Sequence, residues 1–360
     1  MTKSLLYAAR LLILGVGIGA IAGTLLSVLD PTSRVSIGAQ STANNIGDPK
    51  SGVPVAAMNS ANISNAFLTQ ENINLKTALL SLASKQPKLT PSVFMVDLDS
   101  GVYVDVNGST TVAAASTIKF PILVAFFQDV DAGKIRLDEM MTMDQSVVAT
   151  GSGDMQSKPV GSQFTALEAA SKMSIISDNT ATNMLINRLG GAASLNQRFR
   201  TWGMTATQIR NPLPDLEGTN STSPRDLGNL MTLVSQGNLL SLRSRDRLMD
   251  IMRRTVRDNL LPSGLSQEAS IAHKTGDIGS MLGDVGLVDM PNGKRYIAVV
   301  MVKRPHNDPK ATKLITDISR TAYQQFSQTA FINPSPSGTL PNSTTQTNTM
   351  QYPTSTGTTP

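Results

Sequence analysis

The chain has 360 residues, 40% of them hydrophobic, and a net charge of +5. That is enough material for one large domain or two ordinary ones, with part of the chain left outside any core. Aromatic residues make up only 4%, and no dense Lys/Arg run is interleaved with them, which argues against a nucleic-acid partner. There is no cysteine, which excludes a thiol nucleophile, a disulfide framework and a lipid-modified cysteine anchor. The two histidines, His273 and His306, do not stand in a metal-ligand spacing, so no metal or other cofactor is expected.

In chain order, residues 1–10 read as a cytoplasmic tail carrying Lys3 and Arg10. Residues 11–29 (LLILGVGIGAIAGTLLSVL) follow without a charge. As a helix they span about 28 Å, close to the hydrocarbon thickness of a bilayer. The basic flank keeps the tail inside and sends the remainder across, so a single-pass signal-anchor in the cytoplasmic membrane is expected, with the following domain in the periplasm or cell envelope. A cleaved signal peptide and a buried soluble helix are the rival readings. Gly15, Gly19 and Gly23 repeat at four-residue spacing, a face on which two membrane helices can pair. Residues 30–62, rich in Ser, Ala, Asn and Gly, read as a flexible linker, and 331–360 as a disordered Pro/Ser/Thr-rich tail.

The folded region is then 63–330. A helix-like stretch covers 64–85, followed by strand-like runs at Ser92–Asp97 and Val102–Val106 joined by a hairpin turn at Leu98-Asp99-Ser100-Gly101. A helix begins near Ser116, and helical or irregular segments continue to about 260. Strand patterns return at 269–275, 283–289 and 295–302, the last two joined across Pro291-Asn292-Gly293, and a closing helix covers 309–327. Strands at both ends with helices between them predict an α/β (α+β) fold: an antiparallel sheet flanked by helices, plus an all-helical lobe.

Three short motifs carry chemistry. Ser116-Thr117-Ile118-Lys119 places a hydroxyl and an amine one helical turn apart, and Ser-x-x-Lys occurs once in the chain. A serine needs an adjacent base to attack at neutral pH, and a lysine held in a dry pocket near other cations can lose its proton and serve. A helix N-terminus at Ser116 adds N–H groups that favour negative charge. Ser177-Asp178-Asn179 offers a hydroxyl to carry a proton to a leaving nitrogen and an amide to grip a substrate backbone, with Asp178 structural; an ordinary helix cap is the competing reading. Lys274-Thr275-Gly276, at the end of a strand, supplies a second amine that helps keep Lys119 deprotonated and attracts a carboxylate. Thr275 would hydrogen-bond that carboxylate, and Gly276 would let the substrate backbone approach. The backbone N–H groups of Ser116 and Asp277 are the expected oxyanion hole. A Ser-His-Asp triad through His273 or His306 is disfavoured, because no G-x-S-x-G surrounds a serine.

In this order, with Ser177 lying 61 residues after Ser116 and Lys274 lying 97 after Ser177, the three motifs resemble those of the class A β-lactamase-like penicillin-recognising serine enzymes. The resemblance covers 63–330 and implies a five-stranded antiparallel sheet and a helical lobe with the site between them. It also implies catalytic roles for Ser116, Lys119, Ser177 and Lys274, and substrate-binding roles for Asn179, Thr275, Gly276 and Asp277. One feature is missing. Class A β-lactamases carry Glu-x-x-Leu-Asn, whose glutamate activates the deacylating water, whereas here the stretch from Arg210 to Asn220 places Pro212 or Leu213 at that position, with Glu217 several residues too late. That pattern resembles the small penicillin-binding proteins known from cyanobacteria, similar to DD-peptidases. The expectation is a serine D-alanyl-D-alanine peptidase acting on peptidoglycan stem peptides, with β-lactams as covalent inhibitors or substrates. A β-lactamase recruiting Glu217 or Asp215, and a non-catalytic peptidoglycan or β-lactam sensor, are the alternatives. Asp277, an acid directly after Lys-Thr-Gly where small or hydroxyl residues are usual, leaves the preferred substrate terminus open.

Overall fold

The computed structural model describes residues 67–328. The expected tail, anchor, linker and C-terminal segment lie outside the described residues. No helix among the described residues is long and apolar enough to cross a membrane.

Helix α1 (Ile73–Ser84) leads into a hairpin of β1 (Thr90–Asp97) and β2 (Tyr103–Val106). The two-residue strand β3 (Val112–Ala113) and a 3-10 turn (Ala115–Ile118) precede α2 (Lys119–Asp131). Short strands β4 (Met140–Thr142) and β5 (Gln163–Thr165) then flank a loop, and α3 (Ala166–Ile175), α4 (Asn179–Arg188) and α5 (Gly191–Thr201) follow. After β6 (Ser221–Thr222) come α6 (Pro224–Ser235) and α7 (Leu242–Arg253). The chain then forms β7 (Ser270–Ile278), β8 (Met281–Asp289), β9 (Arg295–Lys303) and α8 (Lys310–Gln328).

The five long strands form one antiparallel sheet in the order β2-β1-β9-β8-β7, so β7 is an edge strand. Side chains alternate across it with period two. Val93 and Met95 of β1 and Ala298 and Val300 of β9 join Leu75 and Leu79 of α1 and Leu314, Ile318 and Phe326 of α8 in one core. Phe94 and Val96, with Val299 and Met301, face the second core, shared with α6 and the helical lobe. Gly228 lets α6 lie flat on this face: a Cβ there would come within 2.4 Å of the Phe94 ring. α2 is apolar nearly all round and runs through the helical lobe, which is why ten of its 13 residues are buried.

The five-stranded antiparallel sheet with helices on its faces is the α/β architecture expected from the sequence. Several local expectations differ. α1 begins at Ile73 rather than 64, because the Asn72 side chain accepts the Leu75 N–H at 2.9 Å and caps it, while Glu71 forms a bridge with Tyr103. Ser116 does not open an α-helix: it sits in the 3-10 turn, and α2 starts at Lys119. Lys274-Thr275-Gly276 lies inside β7 rather than at its end, since Asp277 pairs with Leu282 and Ile278 with Met281.

Candidate active site

Three elements meet at one cavity. The 3-10 turn carries Ser116, with Ala115 before it at φ 46°. That left-handed backbone costs a residue with a Cβ about 1–2 kcal/mol. It is held by Ala114, whose carbonyl accepts the Thr117 N–H at 3.1 Å and the Thr117 hydroxyl at 2.6 Å. Gly276 of β7 packs directly on the turn; a Cβ there would sit 2.9 Å from the Thr117 backbone nitrogen, so the strand can approach this closely only with glycine.

The second element is the corner between α3 and α4. Ser177 has φ 57°, and Asp178 caps α4 by accepting the Ala181 N–H at 2.8 Å. The other carboxylate oxygen of Asp178 accepts the N–H groups of Asp154 and Met155 at 2.8 and 2.9 Å, tying the corner to the loop between β4 and β5. Asn179 is held by that loop as well, donating from Nδ2 to the Thr150 carbonyl at 2.9 Å. Helix cap and site motif are therefore the same residues.

The third element is β7, and here the amines converge. Lys119 Nζ donates to the Ser177 carbonyl at 2.7 Å, to Asn179 Oδ1 at 2.8 Å and lies 3.1 Å from Ser177 Oγ. Lys274 Nζ also lies 3.1 Å from Ser177 Oγ and donates to the Thr275 carbonyl at 2.8 Å. Both lysines are 1% exposed, and burial is the main reason each loses affinity for its proton. Burial and then the Lys274 charge hold Lys119 well below the ordinary lysine range, against an opposing pull from Asp178. Burial brings Lys274 down to about 7, opposed by the charge of Asp284 and assisted by that of Arg257. A hydroxyl carries one proton and two lone pairs. Ser177 between two amines can thus accept from a charged Lys274 and donate to a neutral Lys119, a short proton relay.

Ser116 Oγ makes no hydrogen bond among the described residues. Ser116 is half-buried and lines a cavity of about 150 Å³ together with Ser177, Lys274, Thr275, Asp277 and Arg257. A second recess of about 90 Å³ joins Ser116, Asn179 and Asp277 to Leu213, Pro214, Asp215 and Leu216 of the loop before β6. Asn183 of α4 grips that loop from below, accepting the Leu213 N–H at 2.9 Å and donating to its carbonyl at 2.8 Å. Asp215 is buried, and both its oxygens are engaged: Oδ1 by Thr219 and Oδ2 by the Asn220 N–H at 2.7 Å. Glu217 is exposed and lines neither space; Pro212 is exposed and lies on the far side of the loop.

All eight residues singled out in the sequence are thus gathered here: Ser116, Lys119, Ser177, Asn179, Lys274, Thr275, Gly276 and Asp277. Sequence reading missed Arg257, Arg304 and Asp284. Arg257 and Arg304 both donate to the Asp277 carboxylate, and Asp284 accepts from buried His273, whose Nδ1 lies 3.0 Å away. No spacing marks these residues, since the partners stand on separate strands and loops. His273 is spent on Asp284 and contacts no serine hydroxyl.

A five-stranded antiparallel sheet with helices on both faces, carrying an open serine beside two buried amines, defines a serine hydrolase with a β-lactamase/transpeptidase-like fold. The chain belongs to the beta-lactamase enzyme family, which it matches over residues 74–326. Among solved structures it is similar to PBP-A, at 55% identity and a TM-score of 0.71, over 72% of this chain and 98% of that one. A point mutant of PBP-A, solved as its acyl-enzyme complex with penicillin G, is 56% identical over 71% of this chain and 97% of that one, with a TM-score of 0.71. Among curated proteins, beta-lactamase VEB-1 of Pseudomonas aeruginosa is 24% identical over 274 residues, 71% of this chain and 91% of that protein.

Proposed function

We propose that the chain is a serine D-alanyl-D-alanine peptidase that acts on peptidoglycan stem peptides through an acyl-enzyme on Ser116, and that β-lactams acylate the same serine. The observation that carries this reading is the contrast within the cavity. The groups for acylation are assembled, whereas the loop facing Ser116 presents Leu213, Pro214 and Leu216, and its one buried acid, Asp215, has both oxygens engaged by Thr219 and Asn220. The similarity to PBP-A, over twice as identical as VEB-1, supports the same choice.

In the proposed cycle, neutral Lys119 takes the Ser116 proton as Oγ forms a bond to the D-Ala carbonyl carbon. The Ser116 and Asp277 N–H groups stabilise the resulting oxyanion. The proton passes from Lys119 through Ser177 to the leaving nitrogen, the C–N bond breaks, and D-alanine departs as the amine. Charged Lys274 donates to Ser177 and favours this transfer. Asn179 and the edge of β7 at Thr275 and Gly276 bind the peptide backbone and carboxylate. Water or an amine then takes the acyl group. In the same reading, residues 11–29 hold the enzyme on the cytoplasmic membrane with the catalytic domain outside it.

The test is D-alanine release from a stem pentapeptide, run beside mass spectrometry of the penicillin-treated protein over time. The proposal expects D-alanine from the peptide and a penicillin adduct persisting for many minutes. Rapid loss of the adduct with no peptide turnover would make the protein a β-lactamase. A persistent adduct with no turnover of any peptide would make it a sensor.

A further inference from the structure

A buried ionisable pair lies behind the two amines. His273 precedes Lys274 on β7, so the two side chains leave the strand on opposite faces. Asp284 stands on β8 opposite Thr275 in the ladder, which puts it on the face of His273. His273 Nδ1 lies 3.0 and 3.1 Å from the two Asp284 oxygens, and Asp284 Oδ2 also accepts the Leu261 N–H at 3.2 Å. Thr255 secures the ring's own peptide, donating to the His273 carbonyl at 2.7 Å. His273 is 2% exposed and Asp284 0%.

Stability alone is a poor reason for such a pair. A buried carboxylate carries a desolvation cost, and apolar residues of similar volume often serve a core as well or better. This side of the sheet is otherwise apolar, filled by Leu260, Leu261 and Leu282 with Leu314 and Ile318 of α8. The charges on neighbouring elements are accounted for. On α8, Lys313 and Arg320 pair with Asp317, and on β9 the ladder neighbour of Asp284 is Val300. Asp277, in the cavity, is paired with Arg257 and Arg304. What Asp284 does act on is Lys274: burial draws the lysine's proton off, the Asp284 charge opposes that, and the Arg257 charge assists it. On the front of the strand Lys274 meets Lys119 across Ser177, and Asp178 supports a proton on Lys119 against burial and the Lys274 charge.

We propose that Asp284, fixed by His273, is a positioning residue for the reaction: from the reverse face of β7 its charge holds Lys274 as an ammonium group beside Ser177. This rests on the proposed cycle, in which Ser177 accepts from a charged Lys274 while Lys119 is neutral. Two amines that share one hydroxyl repel each other's protons, so an acid behind one of them helps decide which keeps its charge.

The test is the pH profile of acylation by penicillin G, measured on the full-length protein with melting curves to check folding. In the native protein the rate should fall as Lys274 loses its proton, at about 7. Removing the Asp284 charge lets that proton leave more easily, so Asp284→Asn should move the falling limb to lower pH by about half a unit to one unit. On the alkaline side this is a loss of about 3- to 10-fold in rate, while well below the limb the rate should stay within about twofold. His273→Leu should move the limb the same way and no further, because a buried carboxyl without its imidazole partner is more readily protonated. The apolar double variant H273L/D284L should match Asp284→Asn in the limb. Burying no unpaired acid, it keeps the test open where a single variant fails to fold. A limb that stays in place or moves to higher pH in Asp284→Asn or the double variant overturns the role of Asp284. An unmoved limb in His273→Leu overturns the role of His273. A falling limb that survives Lys274→Gln overturns the inference together with the relay. If the limb moves as expected but no stem peptide releases D-alanine, the peptidase reading fails and the assignment of Asp284 stands.

Discussion

The two walls of the cavity are built from the same kinds of residue and do opposite things. On the wall of the 3-10 turn, α4 and β7, polar groups point inward at one another: Lys119 and Lys274 both reach Ser177 Oγ at 3.1 Å, and the Lys274 charge helps hold down the proton affinity of Lys119. On the loop before β6, polar groups point into the loop itself. Asp215 binds Thr219 and Asn220, and Asn220 Oδ1 binds the N–H groups of Arg210 and Asn211 at 2.7 and 3.0 Å. What faces Ser116 from that side is Leu213 and its apolar neighbours. Burial lowers the proton affinity of the amines on one wall, whereas on the other the buried acid, Asp215, has both oxygens taken up within its own loop. In the proposed cycle, forming and breaking the acyl-enzyme then fall to different walls, and each wall can be altered alone.

The largest effect belongs to the proposed nucleophile. Ser116→Ala should abolish the penicillin adduct in mass spectrometry, with a rate loss on the order of 10⁴-fold or more; an adduct at undiminished rate would move the chemistry to another residue. Next comes Lys274→Gln, with an expected loss of about 10²–10³-fold in acylation and a specific signature in pH. In the proposed cycle acylation requires Lys119 neutral, so the rate rises as pH climbs through its lowered pKa. It also requires Lys274 charged, so the rate falls above about 7. Lys274→Gln removes the falling limb. Because the Lys274 charge helps depress Lys119, its removal should also move the rising limb to higher pH. A falling limb that survives the substitution would assign it to another group.

The loop wall is tested by giving it an acid. Leu213→Glu puts a carboxylate into the recess that Ser116 and Asn179 share with the loop, where it can take a proton from water. The adduct lifetime should shorten by about 10- to 100-fold, at the low end of general-base effects, with the acylation rate changed far less. An unchanged lifetime would mean that the apolar wall is not what limits deacylation.

What the sequence disclosed and what it withheld follow the same division. The hairpins showed themselves by strand-like runs joined across Leu98-Asp99-Ser100-Gly101 and Pro291-Asn292-Gly293, and Ser116 and Lys119 by a spacing that puts them on one turn whether the backbone is 3-10 or α. β7 was read short because Gly276, Asp277 and Gly279 interrupt its apolar pattern, although the ladder runs on to Ile278. Nothing in local propensity announces φ of 46° at Ala115 or 57° at Ser177. The first is held by the tertiary bond of the Ala114 N–H to the Asn220 carbonyl together with the local bond of Thr117 to the Ala114 carbonyl, and the second by the Asp178 bonds to Asp154 and Met155. The Arg257–Asp277–Arg304 cluster was illegible for a related reason. Its members come from the loop after α7, from β7 and from the residue just past β9, and only the tertiary fold makes them neighbours.

The smallest effect concerns Asn183, which lies on α4 but hydrogen-bonds Leu213 and none of the reactive groups. Asn183→Ala leaves a buried N–H and carbonyl of Leu213 without their side-chain partner. Unmet buried polar groups cost about 1–3 kcal/mol, so a fall of several degrees in Tm is expected for a domain of this size. If the loop serves only as a wall, the acylation rate should stay within about threefold of the native value. The adduct lifetime should then change no more than the loosened recess admits water. An acylation loss as large as that of Lys274→Gln would erase the division between the walls, because it would mean that the position of Leu213 reaches the amines through α4. Asn179 and Asn183 share that helix one turn apart, so this variant probes one route by which the inert wall could act on the reactive one.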